Sequence, residues 1–190
     1  MKKFEFTDEF ITDTFGNNLF RIKALVDFGT IRAGELGGFA EKEENLSNND
    51  NAWVYGDAQV SGNAQVSDNA WVYGDAQVSG NAQVSGDARV SGDARVYGDA
   101  WVSGNAWVSG NADFAVVEGF GRQFRATTFF RCKDKILRVQ CGCFYGDLAQ
   151  FREIVKKTHG DSKYAKEYLA IADLMELHFS DEEGRQEVTE

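Results

Sequence analysis

The chain has 190 residues, 43% of them apolar, with 30 acidic against 20 basic side chains and a formal net charge of −10. That length suits one elongated domain with small end pieces, and the acidic balance disfavours free binding to a membrane surface or to nucleic acid. No stretch is long or apolar enough to span a bilayer, "MKKFEFTDEF" has acids where a secretory leader needs an apolar core, and three cysteines lack framework spacing, so a cytoplasmic protein is expected.

In chain order, residues 1–50 predict a β-rich N-terminal cap: "LFRIKALVDFG" reads as a strand pair, and "TIRAGELGGFAEKEENLS" as a Gly-rich approach to a repetitive stretch. Residues 51–121 repeat six positions: Asn or Asp, Ala, a variable residue, Val, Ser or Tyr, then usually Gly. Ala recurs every six residues from Ala52 to Ala112, and Val stands two residues after the first ten, with Phe114 closing the series. An even period keeps each position on one side of an extended chain, so Ala and Val point inward while their neighbours point outward. Gly followed by Asn or Asp supplies a corner, since both types tolerate left-handed backbone.

Residues 122–179 change character. "RQFRATTFFRCKDKILRVQCGCF" predicts a β-hairpin turning near Asp134 and Lys135. A first helix is expected from Asp147, with Gln150 completing a capping box, Leu148, Phe151, Ile154 and Val155 on one side, and a stop at Gly160. A second is expected from Ser162 to Phe179 behind the cap Asp161, and residues 180–190 read as a disordered acidic tail. Caps at both ends fit a parallel solenoid, whose unpaired strand edges otherwise invite end-to-end assembly.

The repeats "VSGNAQ" and "VYGDAW" resemble the hexapeptide-repeat, left-handed parallel β-helices. The resemblance implies triangular coils of three hexads, so that residues 18 apart stack, and it also implies the left hand. The fold class expected is therefore mainly β: a left-handed parallel β-helix with an N-terminal β cap and a C-terminal cap of a hairpin and two helices. "RIKAL", "AGELGGFAEKEENLS" and "GCFYGDLAQF" extend the likeness to hexapeptide-repeat proteins of phages and prophages, mostly of unassigned function.

Stacking at 18 sorts the outward residues into columns. One reads Trp53, Trp71, Arg89, Trp107 beside Tyr55, Tyr73, Ser91, Ser109, and a corner column reads Asp57, Asp75, Asp93, Asn111. Large aromatics and Arg are enriched at interface centres, so Trp53, Tyr55, Trp71, Tyr73, Arg89, Trp107 and the three aspartates are the candidate partner-binding residues. The competing readings of that face are burial by the chain's own second helix and contact with another copy. Stacked carboxylates repel, so an ordered acid column wants a cation, a raised pKa or outward splay.

Enzymatic chemistry finds little support. Acyltransferases of the resembled family use a solenoid His and a loop thrown out of one coil, whereas here no His precedes His159 and the repeats run without interruption. Ser61 and Ser79 have no neighbouring base. Cys132, Cys141, Cys143 and His159 are the one candidate metal set, with Cys141 and Cys143 on one side of a strand, but the hairpin holds Cys132 away, and no cofactor is expected. Arg122, Arg125, Arg131, Lys133, Lys135 and Arg138, interleaved with Phe124, Phe129 and Phe130, form a basic stripe that specifies no ligand, so direct nucleic-acid binding is not expected. The reading is a non-enzymatic binding protein, expected to form a homo-oligomer, that offers rigid acidic and aromatic faces to a macromolecular protein partner. The phage resemblance implies inhibition of a host defence protein, with partial nucleic-acid mimicry by the acidic rod as one route. The alternative is a divergent acyltransferase using acetyl-CoA.

Overall fold

A computed structural model describes residues 2–14 and 16–180. Of the tail expected over 180–190, all but Ser180 lies outside the described residues.

The N-terminal part contributes β1 (Phe4–Thr12), β2 (Asn18–Ala24) and β3 (Leu36–Ala40), joined as antiparallel neighbours. β1 was absent from the sequence expectation, because Thr7, Asp8 and Glu9 interrupt the alternation of its apolar residues. The hexads then form ten two-residue strands. β4 (Trp53–Val54), β7 (Trp71–Val72), β10 (Arg89–Val90) and β13 (Trp107–Val108) line the first face. β5 (Gln59–Val60), β8 (Gln77–Val78) and β11 (Arg95–Val96) line the second, and β6 (Gln65–Val66), β9 (Gln83–Val84) and β12 (Trp101–Val102) the third. Each face is a parallel sheet in 18-residue register: Trp53 pairs with Trp71, Trp71 with Arg89, and Arg89 with Trp107. Backbone bonds such as Tyr55 N–H to the Val72 carbonyl, 2.8 Å, join one coil to the next.

Every repeat Ala and Val from Ala52 to Val108 is fully buried, a continuous apolar filling that holds the rod together. The corners need glycine: Gly86 has φ +69°, and a Cβ there would lie 2.8 Å from the Gly104 nitrogen of the next coil. Asp68 occupies one such corner with φ 61°. Its N–H donates to the Asp50 carboxylate at 2.7 Å and its own carboxylate accepts from Gly86 N–H at 2.9 Å, which offsets the strain.

Stacking begins upstream of the first hexad. β3 pairs in parallel with β5, and the N–H of Ser47 reaches the Val66 carbonyl at 2.9 Å. At the other end the eleventh hexad fails: Ala112 is exposed in a 3-10 turn, Asn111–Asp113, although Phe114 still enters the core. The chain leaves the coil there as β14 (Phe114–Val117), the edge of an antiparallel sheet with β15 (Thr127–Arg131), β16 (Leu137–Cys141) and β17 (Phe144–Asp147). The expected hairpin is thus the middle of a four-stranded sheet. Residues 142–143 form a turn between β16 and β17, so Cys141 and Cys143 do not share a strand face as expected.

The helix α1 (Leu148–His159) starts with the expected capping box, Asp147 accepting from Gln150 N–H at 2.8 Å and Gln150 accepting from Asp147 N–H at 2.9 Å. α2 (Lys163–Phe179) is capped by Ser162, one residue later than expected, its hydroxyl accepting from Ala165 N–H at 3.3 Å. Phe151, Val155, Tyr168 and Ile171 from the two helices bury a second core against Phe129 and Val139 of the sheet. The sheet covers the last coil: Trp101 N–H donates to Thr128 Oγ1 at 3.0 Å and Lys133 N–H to the Asn105 carbonyl at 3.2 Å. Among the described residues no helix is long and apolar enough to cross a membrane.

Candidate functional site

The aromatic face is real but shorter than its sequence column. Trp53 is 0% exposed, because the segment after β2 folds back over the first coil. The Phe28 ring meets the indole edge-on at 5.3 Å, and Gly37 leaves room for it, since a Cβ there would lie 2.8 Å from the indole. Trp53 is therefore core and drops out of the partner-binding set. The same segment is anchored by Lys3, a buried ammonium that sequence reasoning missed because a near-terminal lysine reads as solvated. Its Nζ donates to the Ala52 carbonyl at 2.9 Å and to Asp50, and lies 4.9 Å from the Phe28 ring centre. Burial pushes the Lys3 ammonium below its usual pKa despite Asp50. Burial also pushes the Asp50 carboxyl up, but Ser47, the N–H groups of Ala52 and Asp68, and Lys3 together hold it below the usual range.

Beyond Trp53 the row is open. The Tyr55 ring lies 5.3 Å from Trp71, the Arg89 guanidinium sits 5.0 Å from the Trp71 ring centre, and Trp107 is 40% exposed. Burial pushes the Tyr55 phenol up, opposed by a hydrogen bond with Thr30. Tyr73 and Trp71 are half-buried. Arg89 stands between Trp71 and Trp107 in the column, and its guanidinium turns toward Trp71. Two shallow hollows flank Arg89. One, about 320 Å³, lies between the loop Gly29–Ile31 and Trp71; the other, about 220 Å³, lies between Trp107 and Lys133 of the cap, and Asp87 lines both.

Polar corners border this face on both sides. On one, Asn51 Nδ2 donates to Asn69 Oδ1 at 3.0 Å and Asn69 Nδ2 to Asp87 Oδ1 at 3.1 Å. A second corner repeats the order: Asn63 donates to Asn81 at 3.2 Å and Asn81 to Asp99 at 2.8 Å. An ionised carboxylate only accepts, so it can only end such a ladder. The corner on the other side of the face is the acid column. Asp57 is met by Arg21 at 3.5 Å, whose guanidinium also holds Glu9 at 2.8 Å. Asp75 and Asp93 are exposed and make no ion pair among the described residues, and Asn111 ends the column by accepting from Arg95 N–H at 2.9 Å. The column is thus relieved by one arginine, exposure and a terminal amide.

The second helix does not cover the aromatic face, contrary to one expectation; it packs in the cap core. The basic stripe is broken up: Phe129 and Phe130 are buried, Arg131 bonds the Phe179 carbonyl at 2.9 Å and pairs with Asp113, and Arg138 pairs with Asp134 at 2.9 Å, while Arg122, Arg125, Lys133 and Lys135 stay exposed. Burial pushes the Cys132 thiol up to about 11, while Cys141 accepts from Thr127 Oγ1 at 3.3 Å at the far end of β16. Among the described residues no three His, Cys, Asp or Glu side chains converge to hold a metal ion.

No curated protein matches the chain. The family described as YdcK beta solenoid repeat matches residues 58–74, 64–80, 82–98, 88–104 and 94–110, each window close to one coil in length. Within residues 58–110 the chain is similar to that family's repeat, and the stacked coils identify it as a β-solenoid repeat protein.

Proposed function

We propose that this is a non-enzymatic binding protein whose aromatic face, Tyr55, Trp71, Tyr73, Arg89 and Trp107 between the Asn69–Asp87 ladder and the Asp75–Asp93 corner, receives a macromolecular protein partner. One observation carries the reading: Trp71, Arg89 and Trp107 are successive rungs of one parallel sheet, with Trp71 half-buried and Arg89 and Trp107 exposed, where Trp53 is sealed. A preorganised aromatic and Arg row loses little conformational freedom on binding, the condition under which such side chains dominate affinity. The hexapeptide and phage resemblance supports a finer version, a cytoplasmic inhibitor of a host defence protein, in which the exposed acids steer approach or stand in for phosphates. Self-association through the same face is part of the proposal.

The test immobilises the protein, captures partners from a bacterial lysate, and repeats the capture with Trp71→Ala and Trp107→Ala. Each should weaken binding by about 2 kcal/mol, whereas Asp75→Asn should mostly slow association at low salt. Abolition by neutralising Asp75 and Asp93, with the tryptophan variants unaffected, would favour phosphate mimicry. Full retention in all variants would remove the site from this face. Sedimentation at micromolar concentration showing only the 21.1 kDa monomer would remove self-association.

A further inference from the structure

The C-terminal cap holds a hollow of about 350 Å³ that the solenoid reading does not use. Its apolar wall is Phe144 from β17 with Phe151, Ile154 and Val155 from α1. Its polar lining includes Arg122, Gln123 and Arg125 from the loop after β14 and Thr158 and His159 from the end of α1, with Tyr168 of α2 and the thiols of Cys141 and Cys143 beside them. No carboxylate lines it, in a chain of net charge −10. Both arginines are exposed and neither makes an ion pair among the described residues, in contrast to Arg131, Arg138 and Arg152, which all do.

The loop that carries the arginines is tied down at Gly121. Gly121 N–H donates to Glu167 Oε2 at 2.9 Å, and Lys163 approaches the same carboxylate at 3.4 Å, so Glu167 is engaged by other groups. Gly121 has φ +72° and touches the Tyr168 hydroxyl so closely that a Cβ would meet it at 2.1 Å. His159 lies against Tyr168, ring centres 5.8 Å apart and planes at 29°. Between the two rim arginines, Phe124 is held in left-handed backbone at φ 52° with its side chain 71% exposed. A large apolar residue in that region is uncommon and marks a constraint other than packing, since this ring is not packed.

An apolar wall with two unpaired guanidinium groups at its rim complements one ligand chemistry. The volume falls within the range of small-molecule sites, at its lower end. Arginine forks match the oxygens of a phosphate or carboxylate and stack on flat rings. We infer that this hollow binds a small anion built on a planar ring, with the ring against Phe144, Phe151 and Ile154 and the phosphate or carboxylate between Arg122 and Arg125.

Calorimetric titration of the full chain with phenyl phosphate, AMP and inorganic phosphate tests this. One site per chain is expected for phenyl phosphate or AMP, the tighter of the two naming the source of the ring, and inorganic phosphate should bind at least about tenfold more weakly for want of ring burial. Arg122→Gln and Arg125→Gln should each weaken the ring-bearing probe by about tenfold, the value of a hydrogen bond to a charged group, and Lys133→Gln should not. Ile154→Glu, at a partly exposed wall position, should abolish binding without lowering the melting temperature. Absence of binding by both ring-bearing probes, equal binding of inorganic phosphate, or indifference to both arginine substitutions would overturn the inference.

Discussion

Replacing Asn69 by Asp tests the corner ladder with a change of one atom type. The amide accepts from Asn51 at 3.0 Å and donates to Asp87 at 3.1 Å; a carboxylate keeps the first bond and loses the second. Loss of the donor costs about 1 kcal/mol, the ordinary net value of a hydrogen bond. Two carboxylate oxygens left at that separation repel by about 1.3 kcal/mol at the dielectric constant of water, the appropriate one because both side chains are exposed. Outward splay relieves part of this, so Asn69→Asp should destabilise by about 2 kcal/mol and lower the melting temperature by about 4–8 °C for a chain of this size. The matching change Asp87→Asn removes a charge while keeping an acceptor, and should leave stability within about 0.5 kcal/mol. Thermal unfolding by circular dichroism reads both, and 1 M salt should recover roughly half of the first loss by screening the repulsive part. Equal melting of Asn69→Asp and the parent protein, or an equal loss in Asp87→Asn, would refute the directional ladder.

Val72 is fully buried in the rod, so Val72→Asp should cost about 4 kcal/mol or more by placing an unpaired charge there, and unchanged melting would contradict the inward assignment. Thiol labelling at pH 8 should modify exposed Cys143 first and spare Cys132, whose thiol burial pushes up to about 11, until the chain unfolds; rapid reaction of all three would contradict the buried placement. Lys3 has a folded pKa below its unfolded value, so between the two the unfolded chain holds more protons and stability should rise with pH as that window is crossed below 10.5. Lys3→Met should remove that rise, and a persisting rise would assign it elsewhere.

The coils were legible because period, residue size and corner chemistry agree at every hexad: the same small set of residues satisfies sterics, burial and turn geometry without help from afar. What failed depends on distant residues. Trp53 has the same local sequence as Trp71, and only the return of residues 28–37 over the first coil makes one core and the other surface. Ala112 continues the period in sequence, but Asp113 accepts from the N–H groups of Ser109 and Gly110 and turns the chain out of the coil. β1 is of mixed pattern and β17 is short, and their neighbours in the sheets define them as strands. The hollow in the cap joins a loop, a strand end and a helix end, a convergence that no linear pattern encodes.

The two ends of the rod differ in a way that bears on the proposed binding face. At the N-terminal end the aromatic row is sealed by Phe28, and Asp57 is matched by Arg21, so both columns that border the first coil are neutralised within the chain. Toward the C-terminal end the same columns are left open: Trp107 is exposed, and among the described residues Asp93 joins no ion pair and Lys133, which lines the last hollow, joins none either. Sealing one end costs the cap a buried lysine and an indole N–H without a partner, Trp53 Nε1. Such costs are unnecessary at a surface meant for water alone, since leaving Trp53 exposed like Trp107 would avoid them. Under the proposed function, this asymmetry would centre the partner footprint on Arg89 and Trp107, with the first coil serving as the anchor that keeps the sheet in register.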